Sequence, residues 1–253
     1  MLTRGQIERL AQRHNIGIQA QERDYIQFLL LQELYNRSQS LIFKGGTALR
    51  IVYKGTRYSE DLDFNAATSV FEIKQLWASV LSAVENYGIH GSLRNEWLSE
   101  VGFSFEVSYQ GPLFDGRDRT KGKVRIDISL RGEKVTTSRE LVVSEYDDLR
   151  PFVITVLTRE HMMAEKVRAL LLRGKARDVY DLWLFSSQAI ELDPNLVVQK
   201  LAVTETVLTK ELLDAALAKA RRDWERDLNP LLPQYISWDD VIKHVEPVLY
   251  RLL

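Results

Sequence analysis

Residues Phe43–Phe64 read FKGGTALRIVYKGTRYSEDLDF, and this stretch decides the fold. Leu41-Ile42-Phe43 is a short apolar run that ends at Gly45-Gly46, where the chain can turn with positive φ or come close to a ligand. Thr47 is placed to cap a short helix behind the glycines, whose first-turn N–H groups are a common seat for phosphate. An extended segment follows. Side chains alternate along a strand, so Ser59, Asp61 and Asp63 are expected on one face, with Leu62 and Phe64 on the other. Two carboxylates on one face, a short helix away from a phosphate-binding turn, suit a Mg²⁺ ion that bridges carboxylates and substrate phosphates.

Outward from this unit, the chain reads as α+β with its strands in the first part. Apolar residues recur at helical spacing through residues 3–35, from Ile7, Leu10 and Ala11 to Tyr25, Ile26, Leu29, Leu30 and Leu34. Ser69 to Tyr87 predicts a helix with Val70, Ile73, Trp77, Val80 and Val84 on its apolar side. Residues 101–109, 123–130 and 139–143 predict strands, and Gln110 to Gly122, rich in Gly, Pro, Asp and Arg, predicts a loop over the sheet. From Thr158 onward helical patterns fill the chain, broken at Asp193-Pro194, Pro230–Pro233 and Pro247. The composition shift at Leu149-Arg150-Pro151 divides residues 1–150, a mixed or antiparallel sheet with flanking helices, from a helical lobe over 151–253.

Composition limits the chemistry. The 253 residues are enough for one large domain or two lobes, and 45% hydrophobic with 27% charged residues is ordinary for a soluble globular chain. With no cysteine, disulfides, thiolate metal sites and cysteine nucleophiles are excluded. No apolar run is long enough to span a bilayer, and Met1-Leu2-Thr3-Arg4 does not open a secretory signal, so no membrane partner and a cytoplasmic location are expected. The formal charge of −1 argues neither for nor against a nucleic-acid partner, because a sum hides its distribution. The four histidines form no metal-ligand spacing, and Ser59 lacks a nearby histidine, so a hydrolase triad has no support. The five tryptophans are scattered and read as core or lobe-interface residues rather than a base-stacking row.

Two later segments carry polar residues on otherwise apolar elements. In Lys123–Leu130, Val124, Ile126, Ile128 and Leu130 form one face, and Arg125, Asp127 and Ser129 the other. A carboxylate on a core strand needs a partner or a metal; taken alone, Asp127 reads as a strand-end residue held by Arg125 or Arg131. In Glu160–Arg173, Lys166, Ala169 and Arg173 share a helical stripe beside the apolar Met163, Val167, Leu170 and Leu171. A lysine at the edge of a packed face can reach a triphosphate as a mobile point charge. Asp178 and Asp181, three apart, share a face; one can hold Lys166 or Arg173 while the other touches substrate. Surface ion pairing between the two helices would account for the same composition.

Taken together, Gly45-Gly46-Thr47-Ala48-Leu49, Arg57–Phe64, the Asp127 strand, the Glu160–Lys166 helix and Arg177-Asp178-Val179-Tyr180-Asp181-Leu182 resemble the motifs of polymerase-β-like nucleotidyltransferases. More narrowly, they resemble AbiEii and MenT-like toxins of bacterial toxin–antitoxin pairs, over roughly residues 41–185. The resemblance implies transfer of a nucleotide from an NTP. It assigns Asp61 and Asp63 to Mg²⁺ (or Mn²⁺), and Asp127 to orienting or deprotonating the attacking hydroxyl. Gly45, Gly46, Thr47 and Ser59 go to the nucleotide, with Lys166 and Arg173 on its phosphates and Asp178 and Asp181 in the catalytic set. It further implies a tRNA 3′ end or other RNA as acceptor, with a block to translation, and a cognate antitoxin as partner. Lys121, Lys123, Arg125 and Arg131, or Arg221, Arg222 and Arg226, are candidates for an RNA backbone. Transfer to a protein or small molecule, and a non-catalytic nucleotide-binding regulator, are the alternatives. The nucleotide and the acceptor do not follow from the motifs.

Overall fold

The periodicities become seven strands and ten α-helices in a computed structural model that describes residues 1–253. In chain order these are α1 (Arg4–Arg13), α2 (Ile18–Tyr35), β1 (Leu41–Lys44), α3 (Gly45–Ile51), β2 (Asp61–Ala66), α4 (Val70–Val84), β3 (His90–Ser99), β4 (Gly102–Gln110), β5 (Gly122–Ser129), β6 (Thr137–Val142) and β7 (Phe152–Leu157). Then follow α5 (Arg159–Arg173), α6 (Ala176–Ser187), α7 (Pro194–Ala202), α8 (Lys210–Arg222), α9 (Trp224–Leu228) and α10 (Trp238–Tyr250). The chain separates into two units, Met1–Val156 and Leu157–Leu253. The first runs past Pro151 because Phe152–Leu157, where the sequence reading names no strand, joins its sheet through pairing of Val156 with Phe43.

The sheet of the first unit is mixed, in the order β3-β4-β5-β2-β1-β7-β6. β1 runs antiparallel to β2 and parallel to β7; β2 runs parallel to β5, which is antiparallel to β4. Register gives the two faces opposite characters. One rung, Phe43–Phe64–Ile128–Phe103, lies on the core side. There Phe43, Phe64, Trp77 of α4, Phe105 and Phe103 form a chain of ring contacts with centroids 5.3–6.2 Å apart. Burying each of these side chains stabilises the fold by roughly 1.5–3 kcal/mol. The next rung, Lys44–Asp63–Asp127–Ser104, is polar and belongs to the other face.

α4 starts where its sequence says it should. Ser69 accepts from the Glu72 N–H while the Glu72 carboxylate reaches back to the Ser69 N–H, a complete capping box. α2 is buried nearly all round and carries a polar cluster that ties distant segments together. Arg50 of α3 bonds both oxygens of Asp24 (2.6 and 3.2 Å), and Tyr146 donates to the same carboxylate at 2.6 Å. The Arg50 guanidinium also lies 3.6 Å over the Tyr58 ring. These contacts fix α3 against α2, and with it the glycine turn.

In the second unit, α7 docks on α5 through a buried ion pair, Lys200 to Glu165 at 3.0 Å. α9 and α10 meet at Trp224 and Trp238, whose rings contact edge to face at 5.2 Å.

Candidate active site

The glycine turn is built to receive side chains from its own motif. Gly45 has φ +78, and a Cβ there would lie 2.0 Å from Oδ2 of Asp63. A Cβ on Gly46 would lie 2.5 Å from Nη2 of Arg57 and 2.8 Å from Oγ of Ser59. The absence of two side chains thus seats Asp63 on one glycine, and Arg57 with Ser59 on the other. Arg57 is buried and donates from Nη1 to the Tyr58 carbonyl at 3.0 Å.

Two local expectations are corrected. Thr47 does not cap α3: the helix begins at Gly45 with Lys44 as its N-cap residue. Thr47 is instead fully buried, and its hydroxyl donates to the Asp61 carbonyl, which pins the first residue of β2 to α3. Ser59 does not share a strand face with the aspartates, because β2 starts at Asp61 and Ser59 lies in the preceding segment.

Asp61, Asp63 and Asp127 do share a face. In the parallel β2–β5 ladder Asp63 is the register partner of Asp127, and Asp61 that of Arg125. Adjacent strands are about 4.8 Å apart, which sets the spacing of these rows. Arg125 Nε lies 2.8 Å from Asp127 Oδ2. The hydrogen bond to Asp127 and its charge, with a further contribution from Asp61, hold the Arg125 pKa above its ordinary value against partial burial. The Arg125 partner foreseen for Asp127 is therefore present, on the same face as the paired carboxylates. Over this face lies a cleft of about 320 Å³ whose lining includes Lys44, Asp63, Asp127, Ser104, Trp97 and Arg131. Lys44 and Trp97 escaped the sequence reading. Lys44 directly precedes the glycines at a strand end, which was a usable signal; Trp97 was read as core or interface and is instead 61% exposed.

The later motifs form a constellation in the second unit. Lys166 Nζ lies 2.6 Å from Asp181 and 3.6 Å from Asp178. Arg173 grips Asp178 with Nε and Nη2, both at 2.7 Å. Asp178 and Asp181 are buried, and Lys166 is 8% exposed. Both aspartates face Lys166, and Asp178 also holds Arg173. Each buried carboxylate thus has a cation within ion-pair distance, as burial of charge requires.

No group of three or more His, Cys, Asp or Glu side chains is drawn together as a metal cage. The donor set on β2 nonetheless fits Mg²⁺, which is usually held by one or two carboxylates together with substrate phosphates and water. Asp61 and Asp63 are hard oxygen donors two residues apart on one strand face.

A mixed sheet with paired carboxylates on β2, a third in register on β5, and a glycine turn packed against them defines a polymerase-β-like nucleotidyltransferase. Residues 29–244 match the family described as nucleotidyl transferase AbiEii toxin, type IV TA system, and the chain belongs to that family. It is thus a nucleotidyltransferase toxin of a type IV toxin–antitoxin system. Among solved structures, it is similar to MenT4, a nucleotidyltransferase toxin of Mycobacterium tuberculosis H37Rv. The identity is 19% and the TM-score 0.63, over 100% of this chain and 99% of that one. It is likewise similar to JHP933 from Helicobacter pylori, with 18% identity and a TM-score of 0.63, over 94% of this chain and 93% of that one. A comparison with curated protein sequences found no significant match. No helix is long and apolar enough to cross a membrane.

Proposed function

We propose that the protein transfers a nucleoside monophosphate from an NTP to an RNA acceptor, the tRNA 3′ end, in a Mg²⁺-dependent reaction that blocks translation. The observation that carries this reading is the register match of Asp63 with Asp127, which sets a third carboxylate beside the β2 pair on the face that lines the cleft. Asp61 and Asp63 would hold Mg²⁺, and Mn²⁺ suits the same oxygen donors. When bound, the ion supplies charge neutralisation on the phosphates.

The protein groups supply the rest. Asp127, oriented by Arg125 at 2.8 Å, accepts the proton of the acceptor hydroxyl as its oxygen bonds to the α-phosphorus. The bond from that phosphorus to the bridging oxygen of the β-phosphate breaks, and pyrophosphate leaves with the electron pair. Lys44 and Arg131, on the cleft wall, offer positive charge to the phosphates. Gly45, Gly46 and Ser59 keep the nucleotide assignments that the family motif gives them, and Thr47 serves the site by fixing Asp61. Lys166, Arg173, Asp178 and Asp181 keep the roles that the family motif gives them, and kcat/KM of their single variants tests each. NTPs and tRNA put the reaction in the cytoplasm, and membership of a toxin–antitoxin family implies an antitoxin partner.

The test is transfer of α-³²P label from each of the four NTPs to total tRNA with Mg²⁺, for wild type and Asp61→Ala. Label on tRNA that disappears in the variant and on chelation supports the reading and names the nucleotide. Label on a protein band instead keeps the chemistry and moves the acceptor. No label on any acceptor, with nucleotide still bound, overturns it.

A further inference from the structure

Trp97 completes the rung that carries the carboxylates. Lys44, Asp63, Asp127, Ser104 and Trp97 are register partners across β1, β2, β5, β4 and β3, and all five line the same cleft. Register partners project to one face, and strands about 4.8 Å apart put the Trp97 backbone about 10 Å from that of Asp127. Trp77, by contrast, is fully buried on the opposite face.

A single inserted residue turns Trp97 toward the cleft. Arg94 pairs with Glu106 and Trp97 with Ser104, so three steps on β3 span two on β4. Asn95 takes up the extra residue at φ +52, and its side-chain amide donates to Glu106 at 2.7 Å. In unbroken register Glu96 would face the cleft, and Trp97 would point to the side where α4 packs. Instead Glu96 pairs with Lys74 of α4. Bulges of this kind are found beside active sites, where they re-aim a side chain. The result is an exposed indole on the wall of a cleft that also presents Arg131 and Lys44. An aromatic face beside cations is the arrangement on which a nucleobase stacks while its phosphates are neutralised.

We infer that Trp97 is a stacking platform for a nucleobase taking part in the transfer, either that of the incoming NTP or that of the acceptor strand. The inference rests on the nucleotidyl-transfer reading of the cleft. The neighbouring Leu98 and Val101, also exposed, give the hairpin tip an apolar surface that a protein partner would use differently.

The experiment compares full-length wild type, Trp97→Phe and Trp97→Ala, each checked by circular dichroism. Tryptophan fluorescence is titrated with each NTP and with a short single-stranded RNA, and KM for each is measured in the transfer assay. The expected result is a quench in wild type that Trp97→Phe lacks. KM for that same ligand should rise by roughly 5- to 150-fold in Trp97→Ala and be largely restored in Trp97→Phe, with kcat little changed. Quenching by NTP alone identifies the incoming base, and quenching by RNA alone the acceptor base; either supports the inference. Identical quenching in wild type and Trp97→Phe, with both KM values unchanged in Trp97→Ala, overturns it and leaves the hairpin tip to a protein partner. Absence of transfer by the wild type would count against the reaction, while the fluorescence difference would still decide for or against Trp97.

Discussion

Replacing Gly45 by alanine separates what the glycine does for the backbone from what it does for the site. At φ +78 any L-residue meets a steric penalty of about 1–2 kcal/mol. For a chain of this size that lowers Tm by about 2–4 °C per kcal/mol. The methyl group adds a second effect. It would stand 2.0 Å from Oδ2, 2.7 Å from Cγ and 2.9 Å from Cβ of Asp63, where ordinary contact begins at 3.4 Å. The carboxylate must therefore move by more than an ångström, and a displacement of that size in a reacting array lowers the rate by roughly 100-fold. Gly88 provides the control, with φ +74 and nothing within 4 Å of an added Cβ. Gly88→Ala should lose similar stability and keep its activity. The assays are thermal melts by circular dichroism and kcat/KM for label transfer. A Gly45→Ala enzyme as active as Gly88→Ala would refute the idea that Gly45 exists to seat Asp63.

Further tests follow from the packing. Asp181→Asn takes one carboxylate from the buried Lys166 at 2.6 Å and should destabilise the protein by about 3–5 kcal/mol; a melt within a degree of wild type would contradict this. The double variant Lys166→Met, Asp181→Leu should recover most of that stability without activity. Ser69→Ala removes the N-cap of α4 and should lower stability by ~1 kcal/mol, measured by urea unfolding. Burial raises the Glu22 pKa above its usual 4.5, against an opposing bond from the Leu113 N–H. The folded state therefore holds this proton more tightly than the unfolded chain, and stability falls as pH rises through the folded pKa. Glu22→Gln should raise Tm at pH 7 relative to wild type, and the gap should close near pH 4; a gap independent of pH would exclude Glu22 as its source.

Much of the site was legible because the code for a strand face is short. Alternation at Asp61, Leu62, Asp63 and Phe64, and again at Val124–Leu130, was enough to expect the carboxylates on the polar side, and the register of β2 with β5 joins them. Thr47 was misread because cap preference is a local rule. The competing bond to the Asp61 carbonyl depends on a strand fourteen residues away. Trp97 was out of reach for a different reason: residues 90–99 show no alternation that predicts a strand, and in β3 the extra residue at Asn95 breaks that period. Asp178 and Asp181 were correctly put on one face of α6. That both turn inward to Lys166 follows from the packing of α5 on α6, which spacing along one helix does not encode.

The place of β1 in the sheet also sets the order of events during synthesis. β1 sits between β2 and β7, and its partner residue in β7, Val156, lies 113 positions beyond Phe43. At about 5–20 residues/s, β7 is translated on the order of ten seconds after β1. Until then the strand that leads into the glycine turn has one neighbour, and closing so distant a pair is slow. The helices of the second unit, with their nearer contacts, have no such wait. A nascent or prematurely terminated chain lacking β7 would carry Asp61, Asp63 and Asp127 on a sheet whose central strand β1 still has an open edge.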